Sequence, residues 1–332
     1  MSNDKHTPPG NGKPVLSTAP DVLAGRGRRT VHLGDLLFGG SAQASSLIIV
    51  VVVLIIGAFL LGNAWQPLLD NTANFFASTT FDASSRPPHF GVAALLWITV
   101  LSSMIALLIA VPVAVGIALL LTQYVGGRVS RWIGFVIDLL AAVPSVIFGL
   151  WGIKVLGPAL QPVAHWIQAH LGWFPLFGST QVTSPGTVFT ASLVLALMIL
   201  PIITAVTRDV FAQTPREQIE AALALGATRW EVIRMAVLPY GRSGATAAAM
   251  LGLGRALGET IAVMLILSAS SFDVSVFSGG ETFASVIARN AAEFDTTYKA
   301  GIYISAGLVL FVLTFAVNAL ARIVAERGKA KS

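Results

Sequence analysis

Six apolar stretches dominate the chain, at residues 46–61, 92–121, 132–156, 187–206, 245–268 and 301–323, with more polar connections between them. About 20 apolar residues suffice to cross a bilayer as a helix. Lipid offers backbone N–H and C=O groups no partner, so all six are expected to be helical. The first stretch reaches spanning length with Ala42, Ala44 and Gly62. The second exceeds a perpendicular crossing and carries Pro112, which predicts a tilt, a kink or a protruding end. The pattern therefore describes an all-α membrane protein with six transmembrane helices. Residues 1–40 form a polar tail ending in a short interfacial segment, 31–38. Residues 41–90 hold the first helix and an outer loop, 91–324 a core with five helices, and 325–332 a basic tail. The tail is not read as a cleavable signal: the apolar run starts too late and no clear small-residue cleavage site follows it.

Composition agrees. Hydrophobic residues make up 55% of the chain and charged residues 11%, against roughly 25% charged in soluble domains. The basic residues are distributed unevenly. Lys5, Lys13, Arg26, Arg28, Arg29, Arg128, Arg131, Arg208, Arg216, Arg229, Arg234, Arg242, Arg322, Arg327, Lys329 and Lys331 fall on one side of the six crossings. Only Arg86, Arg289 and Lys299 fall on the other, and Lys154 and Arg255 lie within spans. The positive-inside rule then places both termini in the cytoplasm of a multi-pass protein of the cell (plasma or inner) membrane. The net charge of +5 reflects this topology, and no soluble basic domain exists to bind nucleic acid. Cysteine is absent and the five histidines are scattered, so no metal site is expected in the chain.

Two polar segments carry candidate chemistry. In the connection before the fifth stretch, Thr214-Pro215-Arg216-Glu217 and Thr228-Arg229-Trp230-Glu231 both have capping-box spacing, with Pro215 at a helix start. Gly226 between them suits a helix C-cap. The connection therefore reads as two short helices around a glycine turn, with the small surface of Glu220-Ala221-Ala222 open to close contact. Within the fifth stretch, Gly254-Arg255-Ala256-Leu257-Gly258-Glu259-Thr260 puts Arg255 and Glu259 at i and i+4, on one face of a continuous helix. Charges inside a membrane span face a bundle interior or an aqueous path. Arg255 could donate two parallel hydrogen bonds to a phosphate. Glu259 could accept from a protonated phosphate oxygen or hold Arg255 in place, and a salt bridge that only fastens helices is the alternative. Asp138 reads as a helix-interface residue. Lys154 reads as a side chain reaching for the interface, with attraction of anions as the second possibility.

Glu220, Ala221, Ala222, Gly226, Leu238 and Pro239 resemble the EAA loop of ABC-importer permeases, with Ala236 where that family often has Ile. Leu253-Gly254-Arg255-Ala256-Leu257-Gly258-Glu259-Thr260 resembles the G-R-A-x-G-E-T signature of phosphate ABC-importer permeases. The run Ala141-Ala142-Val143-Pro144-Ser145-Val146-Ile147-Phe148-Gly149-Leu150-Trp151-Gly152 is similar to their third span, and Trp151 is closer to the PstC type of subunit than to PstA. The likeness covers residues 91–323. It implies a type I ABC-importer permease fold with cytoplasmic coupling helices. It further implies half of a pore for inorganic phosphate, completed by a second, PstA-like permease and set in membrane lipid. A dimer of PstB-like ATPase subunits would dock at the EAA loop, and an extracytoplasmic PstS-like binding protein would deliver phosphate. Arg255 and Glu259 would act in transport.

Nothing in the chain matches the P-loop pattern G-x-x-x-x-G-K-[ST]. The chain is thus not expected to be an enzyme or to carry a cofactor, with ATP and Mg on the partner ATPase. The outer loops at 63–90, 157–186 and 272–298 offer landing surface for an external partner or serve as solvated connections. In the third-to-fourth loop, residues 162–171 could form a helix lying on the membrane, with Trp166, Trp173 and Phe174 as anchors. Two other readings stay open. An ABC permease for sulfate or molybdate would keep the EAA loop without the paired charge. An ion-driven secondary transporter would have inverted repeats, of which none is evident.

Overall fold

The computed structural model describes residues 33–85, 87–178 and 184–329. The tail before Leu33, with part of its interfacial segment, lies outside the described residues, as do Arg86 and Lys331. Among the described residues the regular structure is helical but for a β-hairpin of two residues per strand, β1 (Phe81–Asp82) pairing antiparallel with β2 (His89–Phe90). The helices are α1 (Leu33–Asp70), α2 (Ala93–Leu119), α3 (Gly127–Ala141), α4 (Ser145–Trp151), α5 (Gly157–Leu171) and α6 (Val188–Ala212). They continue with α7 (Arg216–Ala224), α8 (Arg229–Val232), α9 (Leu238–Gly258), α10 (Ile261–Ile266), α11 (Phe283–Arg289) and α12 (Thr297–Lys329). Helix α12 runs through residues 325–329, so the basic tail begins as a continuation of the last helix.

Five helical segments among the described residues are long and apolar enough to cross a membrane: Gln43–Asp70, Ala93–Tyr124, Ser145–Leu171, Val188–Ala212 and Thr297–Ile323. Two of the six expected crossings are not single helices. The third, 132–156, is split between α3 and α4 at Ala142–Pro144, where Pro144 adopts φ −59° and ψ 138°. Proline has no N–H for the ladder and clashes with the carbonyl four residues back, so the break falls there. The fifth, 245–268, is split at Glu259–Thr260. The segment 162–171 is not a separate surface helix: α5 continues from α4 through a wide π turn, Gly152–Leu156.

Helix α6 is the hub. Two thirds of its most apolar window (67%) is buried within the chain, against 28% or less for the other four segments. Its buried ridge is Ala191, Leu195, Ile199, Ile203, Thr207 and Phe211, at spacings of four. Helix α2 answers with a ridge of the same spacing and smaller residues: Ser102, Ala106, Ala110, Ala114 and Ala118. Residues four apart lie on one helical face, and small ones let backbones approach closely. On another side, glycines of α9 meet α6, Gly241 against Phe211 and Gly252 against Ile203. This pairing runs antiparallel. Helix α3 and the stretch from the end of α4 into α5 also run antiparallel to α6: Gly134 meets Arg208, Gly152 meets Val194, and Gly157 meets Pro185 just before α6. The third crossing thus follows α6 from end to end despite its break.

Helix α10 packs on α4 through two of the glycines in the third-span motif. A Cβ on Gly149 would lie 2.9 Å from Ala262 Cα and 3.2 Å from Ala262 O; one on Gly152 would lie 2.9 Å from Ile266 Cδ1. Backbone, unlike a flexible side-chain tip, cannot step aside. Gly149→Val should therefore destabilise the protein by about 1–3 kcal/mol through overpacking, read as a lower midpoint of thermal unfolding in detergent. An unchanged midpoint would contradict the close α4–α10 approach.

Candidate functional site

The polar connection after α6 folds as a helical turn of defined geometry. Leu225 closes α7 and Gly226 follows with φ +86°. Gly226 N–H donates to Leu223 O (2.9 Å) and Ala227 N–H to Ala222 O (3.1 Å), the two bonds of a Schellman cap. A Cβ on Gly226 would meet nothing within 4 Å, so the backbone angle, not space, selects glycine here. Helix α8 opens with a complete capping box. Thr228 Oγ1 accepts from Glu231 N–H (3.4 Å), and the Glu231 carboxylate accepts from Thr228 N–H (2.7 Å). The matching box expected at Thr214 does not form. Thr214 is buried at the end of α6, and its hydroxyl donates to Phe211 O at 2.9 Å. Pro215 becomes the residue before α7.

Of the sequence-predicted loop residues, Glu220 and Ala221 are exposed and Ala222 is half-buried. Ala221, Ala222 and Gly226 border a groove of about 640 Å³ with Gln218, Leu225, Glu231 and Met235. Leu225 (90% exposed) and Trp230 (59%) stand open beside it. Leu238 and Pro239 are set apart. They follow the π turn Ile233–Val237, in which Leu238 N–H reaches back to Ile233 O. The wide turn accommodates Pro239, which would otherwise break the ladder. The chain from Arg229 to Gly258 is thereby one uninterrupted helical rod, joining the loop to the fifth crossing.

At the far end of that rod the expected i,i+4 pair is not formed. The helix stops at Gly258, and Glu259 turns to ψ 124°. The phase that would align it with Arg255 is lost. The Glu259 carboxylate points forward and accepts from Ala262 N–H at 3.4 Å, capping α10. Among the described residues no ion pair joins Arg255 and Glu259. Arg255 is exposed and Glu259 half-buried. Arg255 borders an open cavity of about 490 Å³ whose other polar lining residue is Asn318 of α12. Register fixes the level of this break along the bundle. Helices α4 and α10 run parallel, with Gly149 beside Ala262 and Gly152 beside Ile266. Carried back along both, Glu259 falls about level with Val146, in the first turn of α4. Since Gly152 faces Val194, that turn lies level with Leu200 and Pro201 in the middle of α6. Both breaks therefore lie level with the middle of α6, with Arg255 one turn away.

Asp138 is placed at the α3–α6 contact, 4.0 Å from Arg208, which also pairs with Asp209 at 3.2 Å. Lys154 lies exposed in the π turn Gly152–Leu156. One polar cluster escaped the sequence reading. Arg289 at the end of α11 lies 2.7 Å from Glu281 and donates to two carbonyls at the end of α10. Its only signal in the sequence is a pair of opposite charges eight residues apart in the connection expected to face outward.

Comparison with known proteins agrees with the fold. The family described as "Binding-protein-dependent transport system inner membrane component" matches residues 110–329. A protein of Mycobacterium tuberculosis named "Phosphate transport system permease protein PstC 2" is 56% identical over 302 residues, covering 90% of this chain and 93% of that protein. The PstC protein of Mesorhizobium japonicum is 36% identical over 331 residues, covering 96% and 98%. Among solved structures, the inward-facing MetNI methionine ABC transporter aligns with a TM-score of 0.52 at 15% identity, over 71% of this chain and 95% of that one. A bacterial ABC transporter that imports alginate aligns with a TM-score of 0.52 at 16% identity, over 70% and 78%. These two share the fold.

The α8 capping box is sensitive to pH. Hydrogen bonds from the Thr228 backbone and hydroxyl hold the Glu231 carboxyl below the ordinary value of 4.5. A carboxyl lowered on folding stabilises the fold above its unfolded pKa and stops doing so as pH falls through the folded one. Protection of the Thr228 and Glu231 amides from hydrogen exchange, corrected for intrinsic rates, should hold above about pH 5 and weaken below the ordinary glutamate range. Glu231→Gln should flatten that dependence.

Proposed function

Because the chain belongs to the binding-protein-dependent transport system inner membrane components, the permease family of ABC importers, we propose that it is the PstC-type half of an importer of inorganic phosphate. The observation that carries this reading is the 56% identity, over nine tenths of the chain, to a permease named for phosphate transport. The chain is a membrane permease and not an enzyme. Energy comes from a separate ATPase, which binds ATP and Mg. On this reading a PstA-like permease completes the pore, two PstB-like ATPase subunits sit beneath it, and a PstS-like protein delivers phosphate from outside. Both termini and the α7–α8 turn face the cytoplasm of the inner membrane.

The geometry supports a mechanical route. ATPase closure would push on the groove and exposed apolar side chains of the α7–α8 turn. The rod from Arg229 to Gly258 would carry that push to the break level with the middle of α6, one turn beyond Arg255. An arginine exposed on a span within one chain needs a neighbouring subunit or an aqueous path beside it. That favours a pathway role for Arg255 over a fastening salt bridge, as does its lack of an ion-pair partner among the described residues. Its guanidinium matches phosphate oxygens two at a time. Glu259, fixed by Ala262 N–H, adds the negative charge that keeps the empty site from holding anions too firmly.

The test is uptake into proteoliposomes holding both permeases and the ATPase, with binding protein outside. Radiolabelled phosphate should enter, and excess sulfate or molybdate should not compete. Entry of sulfate or molybdate without phosphate would overturn the substrate assignment. Arg255→Gln should lower uptake at least about tenfold, given the worth of hydrogen bonds to a charged group. The exchanged pair Arg255→Glu with Glu259→Arg should stay inactive, because the guanidinium moves by about 5.4 Å or more. Near-normal uptake by that well-assembled exchange would reject a substrate contact at Arg255.

Coupling has its own expected outcome. Gly226→Val places a β-branched residue at positive φ, a strained backbone region for it. Phosphate uptake should fall severely while ATP hydrolysis persists without stimulation by the binding protein. Uptake and stimulation both at the unmodified level would count against docking through this turn.

A further inference from the structure

The outer connection after α10 folds back onto the fifth crossing. Arg289 Nε lies 2.7 Å from Glu281 Oε1. Its Nη2 donates to Met264 O at 3.1 Å and to Leu267 O at 3.0 Å. These carbonyls belong to the final turn of α10, where no further turn of helix follows to donate N–H groups to them, and a cation is favoured at that end. The platform carrying Arg289 is rigid. Thr282 and Ser285 form a capping box at the start of α11, Phe283 is fully buried, and Phe283 N–H donates to Thr99 Oγ1 of α2 at 3.2 Å. Glu281 is half-buried; burial pushes its carboxyl up while Arg289 pulls it down.

Helix α10 has six residues, too few to hold a helical shape unaided. Its sides pack on α4, α6 and α11, with Ala262, Val263 and Ile266 in the common core, so what remains to be fixed is its two ends. Glu259 caps the first end and Arg289 the second. We propose that Arg289, held by Glu281, is a positioning residue that fixes the end of α10 and so places Glu259 in the phosphate path. The inference rests on the transport reading for its consequence, but not for its geometry. Without the guanidinium, two carbonyls and a half-buried carboxylate lose their partner together. Helix α10 then frays from its outer end toward Glu259.

The experiment uses the complete transporter in lipid nanodiscs for hydrogen exchange and in proteoliposomes for phosphate uptake. Arg289→Gln should assemble normally and lower the maximal uptake rate about tenfold, the scale of lost charge-assisted bonds. The half-saturating phosphate concentration should change by less than about twofold, since no substrate contact is removed. Exchange should quicken at residues 261–267 and stay unchanged in α9. Arg289→Lys keeps the charge without the fork and should recover part of both losses. The neutral pair Glu281→Gln with Arg289→Gln should remain impaired, because the α10 carbonyls still lack their donor. Uptake restored in the neutral pair would mean that the ion pair only fastens the loop. Normal uptake in Arg289→Gln, or a fall in uptake with α10 exchange unchanged, would equally overturn the proposal. Should Arg289→Gln fail to assemble, Arg289→Lys carries the test: slowed uptake with faster α10 exchange supports it, and unmodified values for both reject it. Exchange does not depend on the substrate, so an unmodified complex that takes up no phosphate would sink the transport reading and leave the α10 arm standing.

Discussion

Close backbone approach around α6 is the constraint on which the architecture depends. In lipid, apolar side chains gain little by leaving one apolar medium for another, so helices associate through packing and short interhelical distances. The alanine ridge of α2 and the glycines of α9 supply those distances against the large residues of α6. The third-span glycines do the same between α4 and α10. Each broken helix is thereby gripped along its length, and an interruption in its ladder does not release it. At the breaks, Ala142 and Pro144 are exposed and Glu259 is half-buried within the chain, and backbone freed from its ladder needs protein or water beside it rather than lipid.

Much of this was readable in the sequence, and the failures share one cause. Apolar stretches marked the crossings, and Gly226 marked its turn, because hydropathy and positive φ are local properties. Continuity is not local. Pro112 and Pro201 sit inside unbroken helices while Pro144 ends one. The residue type is identical, and the surroundings decide. The spacing argument for Arg255 and Glu259 assumed an intact helix between them and failed with it. Thr214 and Thr228 begin equivalent capping patterns, but Thr214 is buried and its hydroxyl had already found the carbonyl of Phe211. Arg289, expected in a loop, ends the short helix α11, and its carbonyl partners lie more than twenty residues away in sequence, where no periodicity reaches.

Exposure within the single chain carries complementary information. Helix α1 presents a nearly continuous apolar surface from Leu47 to Leu61, while Arg255 stands uncovered on a crossing rich in glycine, alanine and leucine. The first is comfortable against hydrocarbon and the second is not. One surface of the chain thus suits lipid, and another calls for a companion subunit or water.

The π turn at Ile233–Val237 sets the azimuth of everything beyond it. An α-helix advances about 100° per residue, and a wide turn inserts one residue beyond the regular count. The faces presented by Trp230 and Glu231 near one end of the rod and by Arg255 near the other are therefore related by an angle fixed at Pro239. Removing one residue from that turn would leave every side chain of the fifth crossing chemically intact. It would also swing Arg255 about a quarter of the way around the helix, away from the open cavity beside Asn318. Pro239 is, in this sense, a rotational index for the charge near the far end of the rod.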